Sequence, residues 1–167
     1  MRLIAFCIGM LVFVSPVVAI DVDTYLMLGV DKSEAGDYRG ALIEFNKAID
    51  IDPNNATAFQ YRGVAKARYG DFEGSILDYS KAIMLNSNNV ESYSSRGIAK
   101  ARTGNIAGAI LDFDVAIELN PADGEVYFNH GMAMEMSHDV QRACLDWTKA
   151  DQLGSVQAIT FLRKYCQ

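Results

Sequence analysis

The chain has 167 residues, half of them hydrophobic, and a net charge of −6. That length fits a single domain with enough apolar material for a packed core. The acidic balance excludes nucleic acid as a bulk electrostatic partner and argues equally against adhesion to anionic lipid.

The first twenty residues differ in composition from the rest. Arg2 precedes an apolar run from Leu3 to Val14; Ser15 and Pro16 break it, and Val17, Val18 and Ala19 follow. A positive start, a short apolar stretch and small or medium residues before a cut are the three parts of a secretory signal. Residues 1–19 are therefore read as a signal peptide cleaved after Ala19, which leaves a mature chain of charge −7, periplasmic or secreted and not inserted in the membrane. The competing reading is an N-terminal membrane anchor, since Leu3 to Ile20 is just long enough to span a bilayer. Pro16 and the single positive charge weigh against it. Cys7 lies within the apolar stretch and follows Phe6, an unsuitable setting for lipidation.

From residue 22 onward the chain repeats. Gly29, Gly63, Gly97 and Gly131 are spaced 34 apart, as are Ala48, Ala82, Ala116 and Ala150. Two aromatic columns keep the same period: Tyr25, Phe59, Tyr93, Tyr127 and Phe45, Tyr79, Phe113, Trp147. A fixed period of this length marks a solenoid of stacked supersecondary units, which works through extended surfaces. The units are 22–55, 56–89, 90–123 and 124–157.

Each unit splits into two apolar-periodic stretches with the three- and four-residue spacing of a helix face. This predicts eight helices of roughly 12 to 14 residues in antiparallel pairs. Gly36, Gly70 and Gly104 stand where a helix end needs a left-handed residue. Asp37, Asp71, Asn105 and Asp139 are placed to cap the second helix of each pair, and Asn55, Asn89 and Asp123 to cap the first helix of the next. A mid-helix glycine costs about 1 kcal/mol against alanine. Four at one phase therefore imply a packing demand: close approach of the paired helices beside the second aromatic column.

The charged residues also keep phase. Glu44, Asp78, Asp112 and Asp146 form an acidic column, and Arg62 and Arg96 are placed to pair with acids of the same or the preceding unit, a ladder that would set register. His130 holds the Arg column in the fourth unit, with Asp112 or Asp146 as its expected structural partner. The many Asp and Glu residues are read as solvated faces and caps.

Residues 155–166 break the period. Ala158, Phe161, Leu162 and Tyr165 share one helical face, which predicts a C-terminal capping helix with a polar outer side. Cys144 and Cys166 are 22 residues apart across a helix, a turn at Gly154 and this last helix. Antiparallel helices would bring them to similar heights, and an oxidising compartment would permit a bridge worth about 3 kcal/mol. The alternative is a small core residue at Cys144, in the place held by Leu42, Ile76 and Ile110. No comparable cap precedes the first unit, so oligomerisation through the N-terminal repeat is a further expectation.

These columns resemble those of the tetratricopeptide repeat family, exported bacterial type, with four units over about residues 22 to 157. The family's aromatic-x-x-Leu-Gly start appears as Tyr25, Leu28 and Gly29, and its Ala, aromatic, Ala and Pro positions as Ala41, Phe45, Ala48 and Pro53. The family's Leu becomes Arg62, Arg96 and His130; its later Tyr becomes Lys32, Lys66, Lys100 and Met134; Ser87 and Ser155 replace its Pro. The resemblance implies an all-α superhelix whose first helices line a concave groove, here formed by Leu26, Val30, Gln60, Val64, Ser94, Ile98, Phe128 and Met132. Met27, Tyr61, Ser95 and Asn129 would flank it. Some members grip a peptide's C-terminal carboxylate with Lys, Arg and Asn at such places; Val30, Val64, Ile98 and Met132 stand where part of that set would be needed, which argues against a clamp. The implied function is that of a scaffold or adaptor, binding a helix or extended segment of a partner protein in this apolar groove. Core packing is the competing account of each residue taken singly.

Nothing in the chain reads as an enzyme. His130 and His138, eight apart, lack further ligands for a metal. The glycines follow the repeat and form no phosphate loop, and no Ser or Cys nucleophile signature appears. No cofactor, metal or catalytic residue is expected. The alternatives to an adaptor are a structural, self-associating solenoid or an accessory subunit of an envelope enzyme complex.

Overall fold

The computed structural model describes residues 21–166, so the signal-peptide reading and Cys7 fall outside the described residues. Within them the chain is all helical: α1 Val22–Glu34, α2 Tyr38–Ile51, α3 Ala56–Tyr69, α4 Phe72–Leu85, α5 Val90–Arg102, α6 Ile106–Leu119, α7 Gly124–Met136, α8 Val140–Gln152 and α9 Ala158–Tyr165. The helices pack as four successive pairs followed by α9, each second helix also lying against the first helix of the next pair.

The helix ends follow the turn chemistry. Asp37, Asp71, Asn105 and Asp139 each accept a hydrogen bond from the backbone N–H three residues on. Asn55, Asn89 and Asp123 do the same for α3, α5 and α7. Asp21 caps α1 through the Thr24 N–H, a cap the 34-residue columns do not mark. Gly36, Gly70 and Gly104 adopt positive φ. In the fourth unit that conformation falls to His138, at φ 67°. A non-glycine residue there carries a strain of about 1–2 kcal/mol. His138→Gly should therefore stabilise the protein by about 1 kcal/mol in urea denaturation; a loss of stability would assign the imidazole a contact that outweighs the strain.

The mid-helix glycines admit the aromatic column. A Cβ on Gly63 would stand 2.8 Å from the Tyr79 ring, one on Gly97 2.9 Å from Phe113, and one on Gly131 2.6 Å from Trp147 Nε1. Phe45, Phe113 and Trp147 are fully enclosed, together with the alanines at 48, 82, 116 and 150. Small residues thus let each pair close until one ring fills the space between its two helices.

A second layer of order is ionic. Arg62 Nε and Nη2 donate to both Asp78 oxygens at 2.8 and 2.7 Å, while Nη1 donates to Asn46 Oδ1 of the preceding unit. Arg96 repeats this with Asp112 at 2.9 and 2.7 Å and with Ser80 Oγ behind it. Lys66 and Lys100 complete each cluster, 2.7 Å from Asp78 and Asp112. In the first unit Glu44 takes Lys32 and Lys47, and hydrogen bonds from these two amines hold its carboxyl below the usual glutamate range. The acidic column is consequently buried at Glu44, Asp78 and Asp112, and does not belong with the solvated acids. His130 is enclosed with Nδ1 3.0 Å from Asp146 and Nε2 3.4 Å from Asp114, so its second acid is Asp114 and not Asp112; neither approach is aligned as a hydrogen bond.

The curvature follows from which helices touch. α1, α3, α5 and α7 contact one another across the units, and the second helices make no comparable contacts. The first helices therefore form the inner layer, and their exposed phase faces the hollow.

Candidate functional site

Three recesses run along the inner layer. The first, about 240 Å³, lies between α1 and α3 and is bounded by Val30, Glu34, Tyr61, Val64, Arg68 and Glu91. The next, about 390 Å³, lies between α3 and α5, with Val64 and Arg68 on one side and Ser95 and Ile98 on the other. The last, about 370 Å³, lies between α5 and α7 and is lined by Ile98, Arg102, Phe128, Asn129, Met132 and Met136. Val30, Val64, Ile98 and Met132 share one phase at 34-residue spacing, so the recesses have a common aliphatic floor.

Five of the eight groove residues expected from sequence line these recesses, Val30, Val64, Ile98, Phe128 and Met132, and so do the expected flanking residues Tyr61, Ser95 and Asn129. Three do not. Leu26 is buried in the core with Phe45 and Ala41. Gln60 is also buried; its amide accepts from Asn89 Nδ2 at 2.6 Å and donates to Glu91 Oε2 at 2.7 Å, so it ties α3 to the start of α5. Ser94 is half-buried and lines none of the three recesses. The physical reason is one of phase. Leu26 shares a core cluster with Ala58 and Ala65 of the next unit, and Gln60 bonds to Asn89 and Glu91 beyond its own helix pair; in the fourth unit, where α9 follows instead, Phe128 lines the recess and also meets Phe161 edge-on at 5.2 Å.

Other lining residues were not picked out from sequence. Arg68 and Arg102 stand one helical turn beyond Val64 and Ile98, and Glu34 and Met136 hold the same phase in the first and fourth units. The signal was available, since residues four apart share a helix face. Tyr79 borders the middle recess from behind, and desolvation pushes its phenol up to about 12.

The fourth unit closes differently. Cys144 and Cys166 are joined as a disulfide with Cα atoms 5.7 Å apart. Trp147 packs on Phe161 and Tyr165 with centroids at 5.1 and 5.6 Å. Ser155 Oγ donates to Glu125 Oε1 at 3.0 Å, so the turn before α9 is held to α7. Among the described residues no group of three or more His, Cys, Asp or Glu is arranged to hold a metal, and no helix is long and apolar enough to cross a membrane.

Residues 22–55 match the model of the tetratricopeptide repeat family. The tetratricopeptide repeat protein 36 homolog of Nematostella vectensis is 53% identical over 38 residues, 23% of this chain and 21% of that protein. The chain thus matches about a fifth of the length of that relative. The crystal structure of MamA superposes with a TM-score of 0.76 at 24% identity, covering 82% of this chain and 80% of that one. MamA from Desulfovibrio magneticus RS-1 gives 0.75 at 19% identity, with 80% and 75% covered. The first TPR of Spaghetti (RPAP3), bound to the HSP90 peptide SRMEEVD, gives 0.67 at 25% identity over 71% of this chain and 99% of that one. The fold is that of a tetratricopeptide repeat solenoid.

Proposed function

We propose that this chain is a tetratricopeptide repeat adaptor of the bacterial cell envelope, exported by its first nineteen residues, that holds a segment of another protein in the inner groove and performs no chemistry. One observation carries the reading. Four apolar residues at a single phase, Val30, Val64, Ile98 and Met132, line the recesses of the inner layer: Ile98 is 40% exposed, and the other three are half-buried, with Val30 and Met132 also resting on the core. Apolar side chains lined up across recesses of a few hundred Å³ suit the side chains of a docked segment. A solenoid of the same fold has been solved with a peptide bound, and proteins built from such repeats are in general scaffolds without catalytic residues.

The test is crosslinking in the native envelope with identification of the captured protein, repeated with Val64→Glu and Ile98→Glu. Both positions lie on the exposed phase of their helices, so helicity by circular dichroism should be unchanged. Capture should fall at least about tenfold, because each carboxylate would be desolvated under an apolar ligand. Unchanged capture would reject the groove.

A second reading, self-association through the first unit, is favoured by one feature. Arg62, Arg96 and His130 each reach back to the preceding unit, but Leu28 holds that phase in α1. With Met27 it leaves an apolar end face, 38% and 61% exposed. Sedimentation across a concentration series separates the readings. A mass that rises with concentration and reverts to monomer in Leu28→Arg supports self-association, and a constant monomer removes it.

A further inference from the structure

Arg68 and Arg102 give the groove a chemical preference. Both are exposed on its rim, in the middle and outer recesses. The other cations of α3 and α5 are committed: Arg62 and Lys66 to Asp78, Arg96 and Lys100 to Asp112. Arg68 and Arg102 make no ion pair among the described residues. Glu91, which shares two recesses with Arg68, is engaged by the Gln60 amide. In a chain of net charge −6, two uncommitted guanidinium groups at the same phase on adjacent units stand out against the overall charge.

Resting on the groove reading above, we propose that the occupant is an extended acidic segment whose carboxylates, three residues apart, meet Arg68 and Arg102 while apolar side chains beside them enter the floor at Val64 and Ile98. The spacing follows from the helices. Packed helix axes lie about 8–10 Å apart, and Arg68 and Arg102 hold the same phase on the neighbouring helices α3 and α5, so the two side chains can reach carboxylates spaced by about that distance. A polyproline-II segment advances about 3.1 Å per residue with three residues per turn. Residues i and i+3 then lie about 9 Å apart on one edge, and residues i+1 and i+4 form a second edge. The groove offers two matching tracks one helical turn apart, the Arg rim and the aliphatic floor. The sequence that fits is acid-apolar-x-acid-apolar-x. The planar guanidinium favours bidentate carboxylate recognition over a mere point charge.

The same phase also sets direction. Along the stack it reads Glu34, Arg68, Arg102, Met136. A carboxylate opposite Glu34 would be repelled, and Met136 with Phe128 and Met132 offers an apolar end. The acidic pair therefore sits over the second and third units, with a cationic or neutral residue over the first and an apolar one over the fourth.

The test uses three blocked synthetic peptides of repeating Glu-Leu-Pro, Gln-Leu-Pro and Lys-Leu-Pro, each titrated into the intact protein by fluorescence anisotropy. The Glu peptide should bind about tenfold more tightly than the Gln peptide, with the Lys peptide weakest. Arg68→Glu with Arg102→Glu should reverse the order of Glu and Lys peptides, and the uncharged change Ile98→Ser should weaken all three. Equal binding of the Glu and Gln peptides, or no reversal in the double variant, overturns the acidic preference and leaves the apolar groove standing. Failure of all three peptides to bind, or binding indifferent to Ile98→Ser, overturns both.

Discussion

Asp112→Ala should destabilise the protein by about 3–5 kcal/mol, read from urea denaturation followed by circular dichroism. Asp112 is 4% exposed and answers two cations at once, Arg96 through both oxygens and Lys100 at 2.7 Å. Those two side chains are themselves largely enclosed, so removing the carboxylate leaves two desolvated positive charges facing each other. Arg96→Met should cost less, because Lys100 still neutralises the acid. It should act on register, though: Arg96 alone joins the third unit to Ser80 of the second. Its signature is a lower m-value, as the stack begins to unfold in parts. An Asp112→Ala cost below about 1 kcal/mol would mean that the cluster is hydrated and that the aromatic column carries the stack by itself.

The repeat phase made the fold legible and the site only partly so, for a definable reason. Period 34 assigns equivalence between units but does not say which way a phase points. The glycine column could be read outright, because four costly residues at one phase require something to fill the space, and the rings at Phe45, Tyr79, Phe113 and Trp147 do so. Apolarity alone misleads in both directions. Leu26 was expected in the groove and is core, whereas Leu77, Leu111 and Leu145 share one phase on the second helices and are 66–71% exposed. Helical periodicity separates faces of one helix, but which face meets the next unit depends on how the pairs stack. Arg68 and Arg102 show the converse: charge on a helix reads as solvated surface until stacking places it on the rim of a recess. His138 carries no such mark in the sequence, because glycine signals the left-handed turn in the other three units and in the fourth the strain is accepted without it.

The fourth unit holds the second large effect. It has given up the ionic cluster of its neighbours, with His130 for Arg and Met134 for Lys, and closes instead with a disulfide and an aromatic stack. Trp147→Ala should cost about 3–5 kcal/mol, since the ring is fully enclosed and supports Phe161 and Tyr165 of α9 from beneath. Reduction of Cys144–Cys166 alone should cost at most about 3 kcal/mol, with α9 still docked through its rings. The two losses should not add. With Trp147 present the stack holds α9 when the bridge is cut; without it the bridge is the main tether, and reduction should release α9 altogether. Hydrogen exchange on residues 158–165 reads this directly: protection should survive either change singly and vanish when both are made. Protection that vanishes on reduction of the unmutated protein would place the whole closure in the disulfide, and protection that persists in the reduced variant would show that Ala158 and Leu162 suffice to seat the helix.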